Sequence, residues 1–188
     1  ICHCLVGSEM CIRDRILAGE AATTAHPMWT AAPLENGQTV SFELGACVKR
    51  YNVGLARTVH LGPPPDMLLR TSDAVQEGMA AVIGALKAGA IAGDVHAAWQ
   101  AVLDRYSLEK PSRIGYSIGA AYAPDWGEHT LSFRPGETTI VPENAVVHII
   151  LGMWMDDWGM ELSETLHVRD SDCVRLCDMP QDVHLIDT

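Results

Sequence analysis

The stretch MWMDDWGMELSE, residues 153–164, sets Asp156, Asp157, Glu161 and Glu164 beside Trp154 and Trp158. Carboxylates at that density hold a metal, move protons, or decorate a turn. A carboxylate against an indole is partly desolvated, which raises its pKa toward the range where it both takes and releases a proton. A second stretch, GYSIGAAYAPDWGEHT at 115–130, repeats the acid–Trp–Gly theme in Asp125, Trp126 and Gly127 and crowds Tyr116, Tyr122, Glu128 and His129 around it. The repetition predicts one shared polar–aromatic pocket. A third, TAHPMW at 24–29, offers His26, although a lone histidine before a proline is more often structural.

These residues need elements to position them. Residues 39–48 and 51–61 are rich in β formers and read as an antiparallel pair of strands. The breaker cluster GPPPD then opens a helix from Asp66 to about Lys87, whose apolar face carries Val75, Met79, Val82 and Leu86 at a 3.6-residue period. Asp94 is the expected N-cap of a second helix reaching Tyr106, with Val95, Ala98, Val102 and Tyr106 turned inward. Strands are expected at 113–121, 145–154, 160–168 and 173–177, and 122–138 reads as a loop. Strands, two helices, then strands describe an α+β domain with helices on one face of a curved antiparallel sheet. In a hairpin turning at Asp156-Asp157-Trp158-Gly159, alternation puts Glu161 and Ser163 on one face and Leu162 and Glu164 on the other.

Bulk properties narrow the function. At 188 residues the chain is long enough for one domain with a substantial core. A net charge of −11 argues against nucleic acid and anionic membranes as partners, since both require a basic face. No apolar run is long enough to span a bilayer. Cys2, Cys4, Cys11, Cys47, Cys173 and Cys177 lack zinc-site spacing, so free thiols and a cytoplasmic location are expected. Residues 1–15 look foreign to the rest: SEMCIRDR resembles translated sequencing-adapter sequence. The expectation is a non-native segment at 1–15, a partial catalytic domain over 16–188, and a natural protein that continues upstream.

Taken in order, FELGACVKRYNVGLARTVHLG, the helix pair, GYSIG, FRPGE and GMELSETLHV resemble the pita-bread superfamily of creatinase, prolidase, aminopeptidase P and methionine aminopeptidase. The resemblance implies a pita-bread fold, incomplete at its N-terminal end. It also implies the superfamily's two-metal ligand set of two Asp, one His and two Glu, but those positions here read Glu43, Gly54, Tyr116, Ile150 and Ser163. One strong oxygen donor out of five does not hold a pair of divalent ions. The expectation is therefore no metal and no other cofactor.

Creatinase works without metal, using a histidine seventeen residues before the first ligand position, and His26 stands seventeen before Glu43. Its carboxylate positions fall on Ala56 and Leu162, so creatine is not the expected substrate. GYSIG-x-x-Y-x-P-D-W-G-E and W-M-D-D-W-G-x-E-x-x-E are most similar to the ectoine hydrolase branch. That similarity implies hydrolysis of a C–N bond in a small zwitterion, with ring opening to N-acetyl-diaminobutyrate. His26 is then the acid–base group, and Glu161 activates water or attacks; a one-residue register shift hands that role to Glu164. Arg57, Tyr116, Tyr122, Asp125, Trp126, Glu128, Trp154, Asp156, Asp157 and Trp158 are the expected substrate contacts, with aromatic walls against an amidinium and Arg57 or His26 on the carboxylate. The resemblance further implies a homodimer. The competing readings are a metal-dependent Xaa-Pro dipeptidase or aminopeptidase, and a catalytically inactive pita-bread binding protein.

Overall fold

The computed structural model describes residues 14–25, 27, 31–122 and 125–187. The β formers of the first half make a long hairpin of β2 (Thr39–Val48) and β3 (Tyr51–Leu61), with Glu43 opposite Ala56 and Gly45 opposite Gly54. Lys49 and Arg50 turn it with φ of 51° and 70°, the two positive values that match the twist of the flanking strands. β1 (Arg15–Ala18) pairs antiparallel along β2, and the short β9 (His184–Ile186) runs parallel to β3, giving the order β1-β2-β3-β9. β1 begins on Arg15, the last residue of the segment set apart on sequence grounds.

A second sheet has the order β5-β4-β6-β7-β8. Its strands are β4 (Gly115–Ile118), β5 (Gly127–Phe133), β6 (Val146–Trp154), β7 (Gly159–Val168) and β8 (Cys173–Arg175). The expected 122–138 loop thus contains a strand, and the expected 113–121 strand shrinks to four residues. The β6–β7 register places Ile150 opposite Ser163 and Gly152 opposite Glu161, as alternation requires. The sheets meet where β3 runs beside β7, and two threonines clip this seam. Thr58 Oγ1 donates to the Glu161 carbonyl at 3.0 Å and accepts from the Glu161 N–H at 2.8 Å. Thr165 Oγ1 donates to the Gly54 carbonyl at 2.7 Å and accepts from the Gly54 N–H at 3.1 Å.

α1 (Asp66–Ala85) and α2 (Ala92–Tyr106) cover one face of the second sheet. Val75, Met79, Val82 and Leu86 are buried as their period predicts. α2 begins two residues before Asp94, which sits in the first turn rather than at the cap, where its charge still favours the helix dipole. Its buried stripe is Val95, Trp99, Val102 and Leu103, while Ala98 and Tyr106 are only half-buried. Trp99 sets the spacing of the helices: a Cβ on Gly78 would lie 2.1 Å from its ring, so only glycine admits this approach. Phe133, Ile149, Leu151, Leu162 and Leu166 complete the core beneath. Among the described residues no helix is long and apolar enough to cross a membrane.

Behind the seam lies a buried ion pair. Arg57 Nη2 donates to Glu164 Oε1 at 2.7 Å, and the guanidinium also donates to the carbonyls of Ala56, Ser163, Met179 and Pro180. Gln181 Nε2 reaches the same Glu164 oxygen at 2.8 Å. Removing one partner of such a pair strands the other charge. Glu164→Gln is expected to lower stability by about 3–5 kcal/mol, and Arg57→Met together with Glu164→Gln to recover part of that loss. Urea unfolding of the four proteins checks this, and a loss under about 1 kcal/mol for Glu164→Gln, the level of an exposed pair, would contradict it.

Candidate active site

A cavity of about 490 Å³ opens between the two sheets, a volume suited to a small molecule. β1 and β2 contribute Arg15 and Glu43, β4 and the segment before it Arg113 and Tyr116, the turn into β5 Asp125 and Trp126, and the β6–β7 hairpin Ile150, Trp154 and Glu161. Two carboxylates from different sheets therefore face one space. Glu43 is ion-paired with Arg15. Glu161 is 2% exposed, accepts a hydrogen bond from Trp154 Nε1 at 3.2 Å, and leaves Oε2 buried without a partner among the described residues. Burial above all, and then the Glu43 charge, push Glu161 up to about 7. Burial also raises Glu43, with Arg15 opposing it. Burial thus raises both acids, and Glu43 has the Arg15 guanidinium as its ion-pair partner.

Trp154 links Glu161 to a buried cation. Lys110 Nζ lies 4.1 Å from the indole centroid and donates to Ser112 Oγ at 2.8 Å. Burial lowers Lys110 to about 8, with Glu161 opposing the shift. The other wall is a closed polar chain. Trp126 Nε1 donates to the Tyr116 hydroxyl at 2.7 Å, that hydroxyl lies 3.2 Å from His148 Nδ1, and His148 Nε2 lies 2.7 Å from Ser163 Oγ. Burial, assisted by Arg15, drops His148 to about 3, so the ring stays neutral.

The expected site residues separate cleanly. Tyr116, Asp125, Trp126, Trp154 and Glu161 line the cavity. Arg57 and Glu164 do not: both point to the opposite face, because Arg57 alternates against Ala56 and Glu164 against Ser163. Tyr122 is 69% exposed and holds Arg50 instead of the cavity. Glu128 accepts from the Ala120 N–H at 3.0 Å and is not a lining residue. Asp156 and Asp157 are exposed in the hairpin turn, and Trp158 packs against the helix-side core. His26 lies outside the described residues; Ala25 is at the cavity wall. Asp125 turns its carboxylate to the Gly127 N–H at 2.9 Å and to His129 Nε2 at 2.7 Å, the former holding its pKa down. Sequence reasoning did not select Arg15, Lys110, Arg113 and His148. Only His148 had a visible signal, two residues before Ile150 and hence on the same strand face.

The profile of metallopeptidase family M24 matches residues 5–170 of the sequence. The chain belongs to this family. It is 36% identical to the ectoine hydrolase of Halomonas elongata over 93% of its own length and 44% of that protein. An uncharacterized hydrolase/peptidase of Sinorhizobium fredii is 31% identical over 80% of the chain and 38% of its own length. Its backbone superposes on a dipeptidase of Mycobacterium ulcerans with a TM-score of 0.85 at 19% identity, over 93% of this chain and 47% of that one. For a prolidase from Pyrococcus furiosus the TM-score is 0.80 at 20% identity, over 89% and 49%. The chain thus spans less than half the length of each of these relatives, and its fold is the pita-bread fold.

The M24 name implies a metal, but the donors present do not fit a two-metal centre. At the positions where the resemblance places ligands, Gly54 and Ile150 bring no side-chain donor, and the Tyr116 and Ser163 hydroxyls both face His148. A Cβ on Gly54 would lie 2.9 Å from His148 Cε1, so the imidazole fills the space that a ligand side chain there would need. Glu43 is engaged by Arg15, and among the described residues no cluster of three His, Cys, Asp or Glu could hold an ion.

The raised Glu161 pKa carries a sign that can be tested. Folding favours its protonated form, so that contribution is complete below about pH 4.5 and is lost as pH rises through about 7. Glu161→Gln lacks the loss. The variant is expected to gain on wild type by on the order of 3 kcal/mol between pH 4.5 and 8, measured by denaturant midpoints across that range. Parallel pH profiles for the two proteins would show that Glu161 is not shifted.

Proposed function

We propose that the chain is the catalytic half of a hydrolase that opens a C–N bond in a small zwitterion, with an ectoine-like cyclic amidine as substrate and no metal in the step. The observation that carries this reading is the pair Glu43 and Glu161 lining one cavity, with Gly54, Tyr116, Ile150 and Ser163 at the other positions where the resemblance places metal ligands. An amidinium presents a delocalised cation with N–H groups on both sides of one carbon. Glu43, ion-paired with Arg15, accepts one N–H. Glu161 takes a proton from water as that water adds to the amidine carbon. The carbon–nitrogen bond then breaks, and Glu161 returns the proton to the departing nitrogen, leaving an amide and an amine.

A residue poised near 7 suits both halves of that cycle, and the arriving cation favours the ionised form needed for the first. Trp126 closes the wall near Tyr116 and excludes bulk water. Trp154 is already covered by Lys110, so its part is to hold Glu161 through the indole N–H. His26 is carried in the proposal as a second proton-transfer group on the resemblance to creatinase. Support for the substrate class comes from the 36% identity to an ectoine hydrolase.

The test is mass spectrometry of ectoine incubated with the full-length protein under excess chelator. Ring-opened N-acetyl-diaminobutyrate is expected, with turnover falling by about 10²–10⁴-fold in Glu161→Gln and unaffected by added manganese. Unchanged ectoine together with manganese-dependent cleavage of a proline dipeptide would replace this reading with a peptidase. Tight ectoine binding without product would point to a binding protein.

A further inference from the structure

Among the described residues, three basic side chains line the cavity, Arg15, Arg113 and His129, and two are committed. Arg15 is ion-paired with Glu43, and His129 lies 2.7 Å from Asp125. Lys110 is 6% exposed and sits over Trp154, behind the wall rather than in it. Arg113 is different. It lines the cavity, is exposed, and places its guanidinium carbon 4.7 Å from the centroid of the Tyr116 ring. Among the described residues it has no carboxylate partner within ion-pair distance.

We propose that Arg113 is the carboxylate anchor of this cavity, fixing the anionic end of a substrate whose cationic end lies against Glu43 and Glu161. This rests on the reading of the cavity as a zwitterion site. A guanidinium held over an aromatic ring keeps its edge N–H groups available for a planar, two-point grip on a carboxylate. The stack also removes much of the side chain's freedom before the ligand arrives, so less is lost on binding. Long-range electrostatics oppose an anion here: the chain carries a net charge of −11, and Glu43, Asp125 and Glu161 line the cavity. An uncommitted cation at the wall offsets that repulsion locally. Arg57, expected on sequence grounds to serve the carboxylate, is buried on Glu164 and cannot. The structure therefore transfers the role from one arginine to the other and specifies a substrate bearing both an amidine-like cation and a carboxylate.

The experiment compares wild type, Arg113→Gln and Arg113→Lys in the full-length protein. Calorimetry measures binding of ectoine and of its decarboxylated ring, 2-methyl-tetrahydropyrimidine, and NMR follows the Arg113 Nε resonance during titration with ectoine, a proline dipeptide and acetate. Wild type is expected to prefer ectoine over the decarboxylated ring by tenfold or more. Arg113→Gln loses that preference, Arg113→Lys keeps part of it, and in turnover the loss falls on KM more than on kcat. If ectoine fails to bind but the dipeptide moves the Arg113 resonance and needs Arg113 for affinity, the anchor stands and the ectoine reading falls. If the preference survives in Arg113→Gln, or no carboxylate moves the resonance, the anchor is overturned.

Discussion

The imidazole of His148 packs on the bare backbone of Gly54, a contact that joins the two sheets and that no larger residue at 54 would admit. Gly54 belongs to the first sheet; His148, Tyr116 and Ser163 belong to the second. Because the ring is buried and neutral, it has one donor and one acceptor, and Tyr116 and Ser163 face both nitrogens. A charged ring would be costly at this depth. The same contact governs the cavity. With His148 filling the space beside Gly54, Glu43 and Glu161 have each other and Arg15 as electrostatic neighbours.

β7 shows how one strand serves two purposes. Its front face presents Glu161 and Ser163 to the cavity and to His148; its back face gives Leu162 and Leu166 to the helix core and Glu164 to Arg57. A slip by a single residue would bury Leu162 against the acids and strip Arg57 of its partner. Arg57 also grips the carbonyls of Met179 and Pro180, so the segment leading to β9 is secured by the same pair. Two glutamates three positions apart thus face different ways, Glu164 onto the Arg57 guanidinium and Glu161 into the cavity beside the Trp154 N–H.

Much of this was legible in the residues. The α1 apolar face, the β2–β3 and β6–β7 pairs, and the separation of Glu161 from Glu164 by alternation all follow from local period. The α+β layering follows from element order. What was not legible depends on distance in the chain. β1 and β9 are short and exist through partners far away in sequence, and β5 lies in a stretch whose Pro, Asp and Gly read as loop. Arg57 was assigned to substrate because an arginine's charge is visible in sequence and its burial is not. Tyr122, Glu128, Asp156, Asp157 and Trp158 carry the right chemistry but face solvent, backbone or core. Arg113 and Lys110 flank Pro111-Ser112, with no periodic pattern to show which of them points inward.

The seam clip at Thr58 gives the cavity an unusual mechanical basis. One hydroxyl both donates to and accepts from the backbone of Glu161, two positions along β3 from the residue opposite Glu43. The gap between the two acids is therefore gauged by a side-chain oxygen rather than by a continuous backbone ladder. Isosteric exchange of that hydroxyl for a methyl would leave packing volume almost unchanged while freeing the frame. In this fold the spacing of the two cavity acids leans on an atom that is not itself part of the cavity lining.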